Sequence, residues 1–261
     1  MNTNMSEETI LQKQSYLGNR FEFKYQLNPK DAIIIERYIR TVGLIPDRYS
    51  QKGGYLVNSF YFDTPMSGDY RDKDGSFLIR KKMRARTYSQ TWSEDPDDIW
   101  LEIKKKRNMN IKKSRVQINR NIWHDIIDKR WFDSKAISLP NAHEKDQHIF
   151  EEFMYFYRRQ LYSPSMIVKY KRSAYLSTFT NPVRITFDQN VVACRATDPC
   201  GEKMMMPVTQ NMVIMEVKFN HKLPWWFSEL ITRFDIQRDD FSKYRNSVAM
   251  LRGYYRIPIS R

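Results

Sequence analysis

Cysteine is nearly absent from this chain: Cys194 and Cys200 are the only two in 261 residues. Two thiols make neither a disulfide framework nor a zinc-ligand spacing, so a reducing compartment is expected, with both cysteines unpaired and inert. Histidine is scarce too. His124, His143, His148 and His221 are scattered and form no catalytic or metal-binding set. No run of about 18 apolar residues occurs, which excludes a membrane-spanning helix. Residues 1–18 are polar and lack an apolar signal core, which argues against secretion. The charge in short supply is the negative one: 30 Asp and Glu stand against 44 Lys and Arg, for a formal net charge of +14. A surplus of that size predicts an anionic partner, whether nucleic acid, phosphate or an anionic membrane surface.

What the chain has in quantity is alternation of charged with apolar residues. In Phe77–Tyr88, FLIRKKMRARTY, Arg80, Lys82, Arg84 and Arg86 share one parity. Phe77, Ile79, Met83 and Ala85 share the other, with Lys81 the exception. A β-strand sends alternate side chains to opposite faces, so this segment predicts a strand with a row of cations on one side. The same pattern recurs. Arg20, Glu22 and Lys24 alternate with Phe21, Phe23 and Tyr25; Glu102, Lys104 and Lys106 alternate with Leu101 and Ile103. Arg184 and Asp188 alternate with Ile185 and Phe187, and Glu216 and Lys218 alternate with Met215, Val217 and Phe219. Tyr55–Asp63 and Met166–Leu176 also read as strands, the latter carrying Lys169, Lys171 and Arg172.

Helices are predicted between these strands. Asn28-Pro29 supplies a cap and a first-turn proline, with Ile33, Ile34, Tyr38 and Val42 spaced as the apolar stripe and Gly43 as the stop. Further helices are expected over residues 121–132, 143–162, 224–233 and 242–254. Residues 66–76, with one helical turn, and 89–98, 107–113 and 194–207 read as loops, and 1–18 as a flexible tail. A hydrophobic content of 41% is enough for one large domain over residues 19–261. Strands with one charged and one apolar face, accompanied by helices that need apolar surface to cover, predict an α+β fold turned inside out. It is a closed antiparallel barrel of about eight strands with charges facing inward and helices packed outside, closure removing exposed strand edges. An interior with so many cations requires a polyanion, because buried unpaired charge is costly.

These segments together carry a resemblance. RFEFKY at 20–25, SFYFDT at 59–64, RKKMRARTY at 80–88, LEIKKK at 101–106, KYKRSAY at 169–175, VRITFD at 183–188, MEVKF at 215–219, LPWW at 223–226 and FSKY at 241–244 occur in order. With them the chain resembles the VTC domain, the polyphosphate polymerase branch of the triphosphate tunnel metalloenzymes (CYTH-like superfamily). The resemblance implies a tunnel that binds a triphosphate and a divalent metal, manganese or magnesium, and passes the γ-phosphoryl group of ATP to a polyphosphate chain. Carried over residue by residue, it makes Lys24, Arg84, Arg86, Lys104 and Arg184 resemble phosphate-contacting residues of catalysis, Ser242 and Lys243 the FSK pair, and Glu216 the metal-binding carboxylate. Arg80, Lys82, Arg172 and Lys218 lie on the same faces or segments as phosphate-binding candidates; which of Lys169, Lys171 and Arg172 joins the site stays open. The first-strand ExExK of the superfamily stands here as Arg20-Phe-Glu22-Phe-Lys24, with fewer acidic ligands, which favours polymerase over simple triphosphatase. The implied partners are ATP and inorganic polyphosphate, with no nucleic acid. The implied location is the cytoplasm, at the inner face of a membrane where a separate membrane protein accompanies the chain.

Some charged and aromatic residues have plainer readings. Lys105, Arg107, Lys112 and Lys113 read as solvated loop charges, Trp225 and Trp226 as helix-packing residues, and Ser242 as an N-cap whose helix start could also face a phosphate. Two rival functions share the tunnel. One is a tripolyphosphatase or nucleoside triphosphatase; the other is a basic module that holds a polyanion without turnover. Sequence-tolerant nucleic-acid binding needs aromatics beside the cations, and here they lie mainly on the opposite parity.

Overall fold

The computed structural model describes residues 20–74, 79–92, 98–107, 110–128, 139, 142–177, 182–197, 201–220 and 222–253. The expected tail at 1–18, Phe77, Cys200, His221 and Tyr254 lie outside the described residues. The elements are, in order, β1 (Arg20–Leu27), α1 (Pro29–Thr41), β2 (Leu44–Pro46), β3 (Tyr55–Asp63), α2 (Gly68–Asp74), β4 (Ile79–Thr87), β5 (Ile99–Arg107) and β6 (Asn110–Ile118). They continue with α3 (Arg120–Asp128), α4 (Glu144–Arg159), β7 (Ser163–Ser177), β8 (Val183–Arg195), β9 (Met206–Pro207), β10 (Val213–Asn220), α5 (Trp225–Phe234), β11 (Arg238–Asp239) and α6 (Lys243–Leu251). The fold class is α+β, an antiparallel sheet with helices. Contacts divide the chain into two compact units. The first comprises the described residues of Met1–Gly54, Ser173–Phe187 and Val213–Phe241; the second those of Tyr55–Arg172, Asp188–Met212 and Ser242–Arg261. The chain crosses from one to the other within β7 and within β8.

In the first unit, β1 pairs antiparallel with β10 and with β11, and β2 pairs antiparallel with β7. Tyr25, Leu27, Ile185, Phe187, Val213, Met215 and Val217 form the apolar face, and α1 and α5 cover it with Ala32, Ile35, Ile39, Trp226, Phe227 and Leu230. Asn28 caps α1 by accepting from Asp31 N at 2.8 Å, and Gly43 follows the helix at φ +93°, a left-handed conformation that glycine adopts without strain. The buried stripe of α1 is Ala32, Ile35 and Ile39; of the expected Ile33, Ile34, Tyr38 and Val42, the last two pack partly buried against the core, while Ile33 and Ile34 are each 49% exposed. Trp226 packs as expected, but Trp225 is 77% exposed.

In the second unit, β7, β3, β4, β5 and β6 are neighbours in that order, all antiparallel. Phe60, Phe62, Met83, Ala85, Leu101, Ile103, Val116 and Ile118 form one face, covered by Ile122, Trp123 and Ile126 of α3 and Phe150, Phe153, Met154 and Tyr157 of α4. Burial of these aromatic and branched side chains is the largest stabilising term available to such a unit. Lys81, the exception to the strand's alternation, points to this side and ends over the Phe156 ring at 4.0 Å and the Tyr162 ring at 4.9 Å. Cation–π attraction and the apolar stem make the position tolerable for lysine.

Several expectations are corrected. The hairpin between β5 and β6 is tighter than its basic composition suggests, so Lys112 and Lys113 belong to strand β6 and Lys105 and Arg107 to β5. Lys105 is ion-paired with Glu152 of α4 and lies over Phe156 at 5.2 Å. Strand β8 runs on to Arg195, where a loop was expected from 194. Three short strands, β2, β9 and β11, accompany the eight longer ones. Among the described residues the ladders run in an open order ending at β11 and β6, so the ladder itself does not close the expected barrel.

Candidate functional site: two charged faces of different character

The polar face of the second unit is organised by two buried carboxylates. Glu102, 2% exposed, receives Arg84 Nε at 2.7 Å, Arg86 Nη1 at 3.8 Å and Lys113 Nζ at 2.5 Å. The register explains the convergence: Arg84 stands opposite Glu102, and Glu102 opposite Arg115, with Lys113 one pleat along the same face. Burial alone would raise the Glu102 carboxyl, but Arg86, Arg84 and Lys113 outweigh it and hold it well below the usual carboxylate range. Arg84 also donates to the Tyr61 hydroxyl at 3.0 Å, and Arg86 Nε lies 3.5 Å from Ser59 Oγ. Burial opposes ionisation of Tyr61, yet Arg84, Arg86 and Lys243 together draw it below the ordinary tyrosine value.

Asp188, fully buried, is the second hub. Arg172 grips it with Nε at 2.6 Å and Nη2 at 2.8 Å, and Lys243 Nζ approaches to 2.5 Å. Beneath both cations lies the Tyr170 ring, 5.3 Å from Arg172 and 4.7 Å from Lys243. This answers the parity question: Arg172 joins the buried charged cluster, Lys169 donates to the Gln90 carbonyl at 3.2 Å, and Lys171 is exposed.

The start of α6 is bound into the same face by three consecutive residues. Ser242 caps the helix, accepting from Arg245 N at 3.5 Å, and accepts from Lys82 Nζ at 3.0 Å. Lys243 takes Asp188. Tyr244 stacks on Tyr61 at 5.0 Å, lies under Lys82 at 5.3 Å and donates to Asp63. Lys104 stands in register between Lys82 and Lys113, and Arg80 pairs with Lys106; both are half-buried. In the described ion pairs Glu102 receives Arg84, Arg86 and Lys113, and Asp188 receives Arg172 and Lys243.

Behind this face sits a buried acid pair. Asp63 accepts from Thr64 N, Asp69 N and Tyr70 N at 2.7, 2.9 and 3.2 Å. Asp69 Oδ1 accepts from the Tyr162 hydroxyl at 2.5 Å, while its Oδ2 accepts no hydrogen bond among the described residues. Burial pushes Asp69 up to about 7, the Tyr162 hydrogen bond opposing it and Asp63 adding to it.

The polar face of the first unit is different, because its charges balance. Glu22 stands opposite Lys218 and Lys24 opposite Glu216, a checkerboard across β1 and β10. Lys218 is ion-paired with Glu216 and lies 3.8 Å from Glu22, so one ammonium is shared by two carboxylates. Lys24 donates to the Phe241 carbonyl at 2.8 Å and lies 3.5 Å from Glu22; Arg184 reaches Asp47 at 3.1 Å.

Among the described residues no group of three or more His, Cys, Asp and Glu is placed to hold a metal. The Glu22–Glu216 pair fits a hard divalent cation only if other oxygens complete the shell. That is the usual arrangement for magnesium, which takes one or two carboxylates and fills the rest with water and substrate phosphates. No helix among the described residues is long and apolar enough to cross a membrane.

The expected site residues thus fall on two faces: Lys24, Arg184, Glu216 and Lys218 on the first unit, and Arg80, Lys82, Arg84, Arg86, Lys104, Arg172, Ser242 and Lys243 on the second. What residue-type reasoning missed are the counter-ions Glu102, Asp188 and Asp47, the tyrosines 61, 170 and 244, and Lys113. Glu102 and Asp188 were visible on the charged parity; only the register shows how many cations each receives. The three tyrosines put aromatic rings on the charged face, contrary to the parity argument, but at 5%, 2% and 2% exposure they offer no platform for a base.

A Hippeastrum protein, described as an adenylyl cyclase candidate with a dominant triphosphatase activity, is similar in structure with a TM-score of 0.50 at 11% identity, over 91% of this chain and 97% of that one. A Vibrio parahaemolyticus protein described as an adenylate cyclase candidate aligns with a TM-score of 0.46 at 12% identity, over 88% and 98% of the two chains. The Mimivirus capping enzyme triphosphatase aligns with a TM-score of 0.34 at 16% identity, over 89% and 98%. No curated protein matches the chain. The VTC domain model matches residues 19–252, nearly the whole sequence and every segment that carries the charged faces. The chain belongs to the VTC domain family, with the α+β tunnel fold that its charged strands and outer helices build.

Proposed function

We propose that this protein is a metal-dependent phosphotransferase that moves the γ-phosphoryl group of ATP onto the end of an inorganic polyphosphate chain. The observation that supports the reading is the convergence of basic side chains on two buried carboxylates in the second unit. There Arg84, Arg86 and Lys113 share Glu102, and Arg172 and Lys243 share Asp188. Such a face attracts a ligand of several closely spaced negative charges. Guanidinium forks suit phosphate oxygens bidentately, and ammonium groups act as compact point charges beside them.

Phosphoryl transfer needs positioning and charge stabilisation more than covalent chemistry from the protein. In this reading Arg84 and Arg86 hold non-bridging oxygens of the transferred group and strengthen their grip as charge develops. Lys82, Lys104 and Lys243 orient the flanking phosphates, and Ser242 fixes Lys82 and the start of α6. The attacking oxygen of a polyphosphate end is already ionised near neutral pH, so no general base is required, which suits a chain whose histidines form no set. Glu22 and Glu216 of the first unit are the residues that would hold the divalent ion, which when bound would offset charge on phosphate oxygens. Lys24, Lys218 and Arg184 keep that acidic face neutral when the ion is absent.

The test is incubation of the purified protein with ATP and Mn²⁺ or Mg²⁺, with products resolved on a gel. A lengthening polyphosphate ladder is expected. Inorganic phosphate alone would place the protein with the triphosphatase reading, which the activity described for the Hippeastrum relative favours. Absence of turnover with every divalent ion tried would leave a polyanion-binding module. Glu216→Gln should retain triphosphate binding and lose metal-dependent turnover; unchanged turnover in the folded variant would remove Glu216 from the metal site.

A further inference from the structure

The outward side of the first unit carries a pattern that phosphate chemistry does not use. On α1 the buried stripe is complete with Ala32, Ile35 and Ile39. Lys30, Ile33, Ile34 and Arg37, spaced three and four apart, form the opposite stripe, and all four are exposed. The acidic residues of α1 lie beside this stripe, the Asp31 carboxylate accepting from Asn28 Nδ2 and Glu36 from the Tyr175 hydroxyl. With α1, helix α5 covers the same apolar cluster, and its outer side carries one acid, the exposed Glu229. That helix presents Trp225, the most exposed large hydrophobic residue described in the chain at 77%, with Lys222 just before it and Arg233 two turns on, both exposed.

We propose that this α1–α5 side is a docking surface for an anionic lipid bilayer. Apolar and aromatic side chains rimmed by lysine and arginine are what an interfacial helix needs. The isoleucines and tryptophan enter the headgroup boundary, and the long basic side chains reach the charged headgroups. The net charge of +14 draws the whole molecule to a negative surface. Docking is peripheral, since the helices lie along the surface and none described is long enough to span. The inference does not depend on the phosphotransferase reading.

The experiment is flotation of the full chain with vesicles of neutral phosphatidylcholine and with vesicles that also carry phosphatidylglycerol. Binding is expected only to the second, and it should weaken in about 1 M salt, where the Debye length is about 3 Å. Ile33→Ser with Ile34→Ser, and separately Trp225→Ala, should lower partitioning roughly tenfold while circular dichroism and triphosphate-induced thermal shifts stay as in the wild type. Two results would overturn the proposal. The first is anionic-vesicle binding that ignores these substitutions, which means adsorption by net charge elsewhere. The second is no vesicle binding at all, which gives the face to a protein partner.

Discussion

Replacement of Glu102 by glutamine keeps the shape of the hub and removes its charge. Arg84 and Arg86, with side chains 20% and 8% exposed, then lose their counter-ion inside the protein, and Lys113 loses its own at a more exposed position of 38%. Breaking a buried ion pair from one side costs about 3–5 kcal/mol, because the remaining charges stay buried. Lys113 adds little to this, because desolvation already pushes its ammonium well below the usual lysine value and disfavours its charge. At roughly 2–4 °C per kcal/mol for a chain of this size, Tm should fall by roughly 6–20 °C. The ligand response should move in the opposite direction. With three cations and no carboxylate, the face has more to gain from a triphosphate, so the ligand-induced rise in Tm should exceed that of the wild type at the same concentration. The pH dependence carries a third sign. The folded state holds Glu102 well below the usual carboxylate range, so its contribution is complete above about pH 4.3 and is lost as pH falls toward the folded value. Glu102→Gln should lack that component of acid destabilisation. The assay is differential scanning fluorimetry across pH with and without tripolyphosphate. A variant whose ligand shift is smaller than that of the wild type would refute the reasoning, because it would mean that Glu102 holds the arginines in place rather than competing with phosphate for them.

Arg84→Ala removes a charge-assisted phosphate contact worth roughly 1.5–3 kcal/mol, so calorimetry should show triphosphate affinity falling about ten- to a hundredfold, with turnover falling alongside. Ser242→Ala deletes the cap of α6 and the acceptor of Lys82 together; thermal denaturation should show a loss of about 1 kcal/mol, roughly 2–4 °C in Tm. Asp69 is raised to about 7 by burial, so its ionisation is resisted by the fold, and stability should decline as pH rises from about 4 to about 7. Asp69→Asn, which keeps an acceptor for Tyr162, should flatten that decline; an unchanged slope would place the titration elsewhere.

Strand parity was the legible part. The row Arg80, Lys82, Arg84, Arg86 and the matching rows at Glu22–Lys24, Glu102–Lys104 and Glu216–Lys218 have period two, and the sheet puts each row on one face. Parity says which side a residue takes but not which residues meet there. Pairing between strands far apart in sequence decides that Glu102 receives three cations and that Asp188 receives Arg172 and Lys243. Ile33 and Ile34 were misplaced because α1 buries a small residue, Ala32, and a hydropathy stripe weighted by size slides toward the larger neighbours. Lys113 was misplaced because a basic, Asn-containing run reads as a loop, while the register keeps it opposite Lys104 within the strand.

The shared carboxylates of the second unit also bear on movement. A bare row of cations would hold a long polyanion tightly and release it slowly. On the proposed reading, a phosphate oxygen that reaches Arg84 or Arg172 competes with a carboxylate already hydrogen-bonded to the same guanidinium. The exchange keeps the positive groups solvated by something at every stage, so the difference in free energy between one register of the ligand and the next is small. If the proposed polyphosphate binds here, Glu102 and Asp188 give Arg84 and Arg172 a partner whenever a phosphate leaves, so no buried cation stands alone. Glu102 and Asp188, by this logic, set dissociation rate and processivity as much as they set stability.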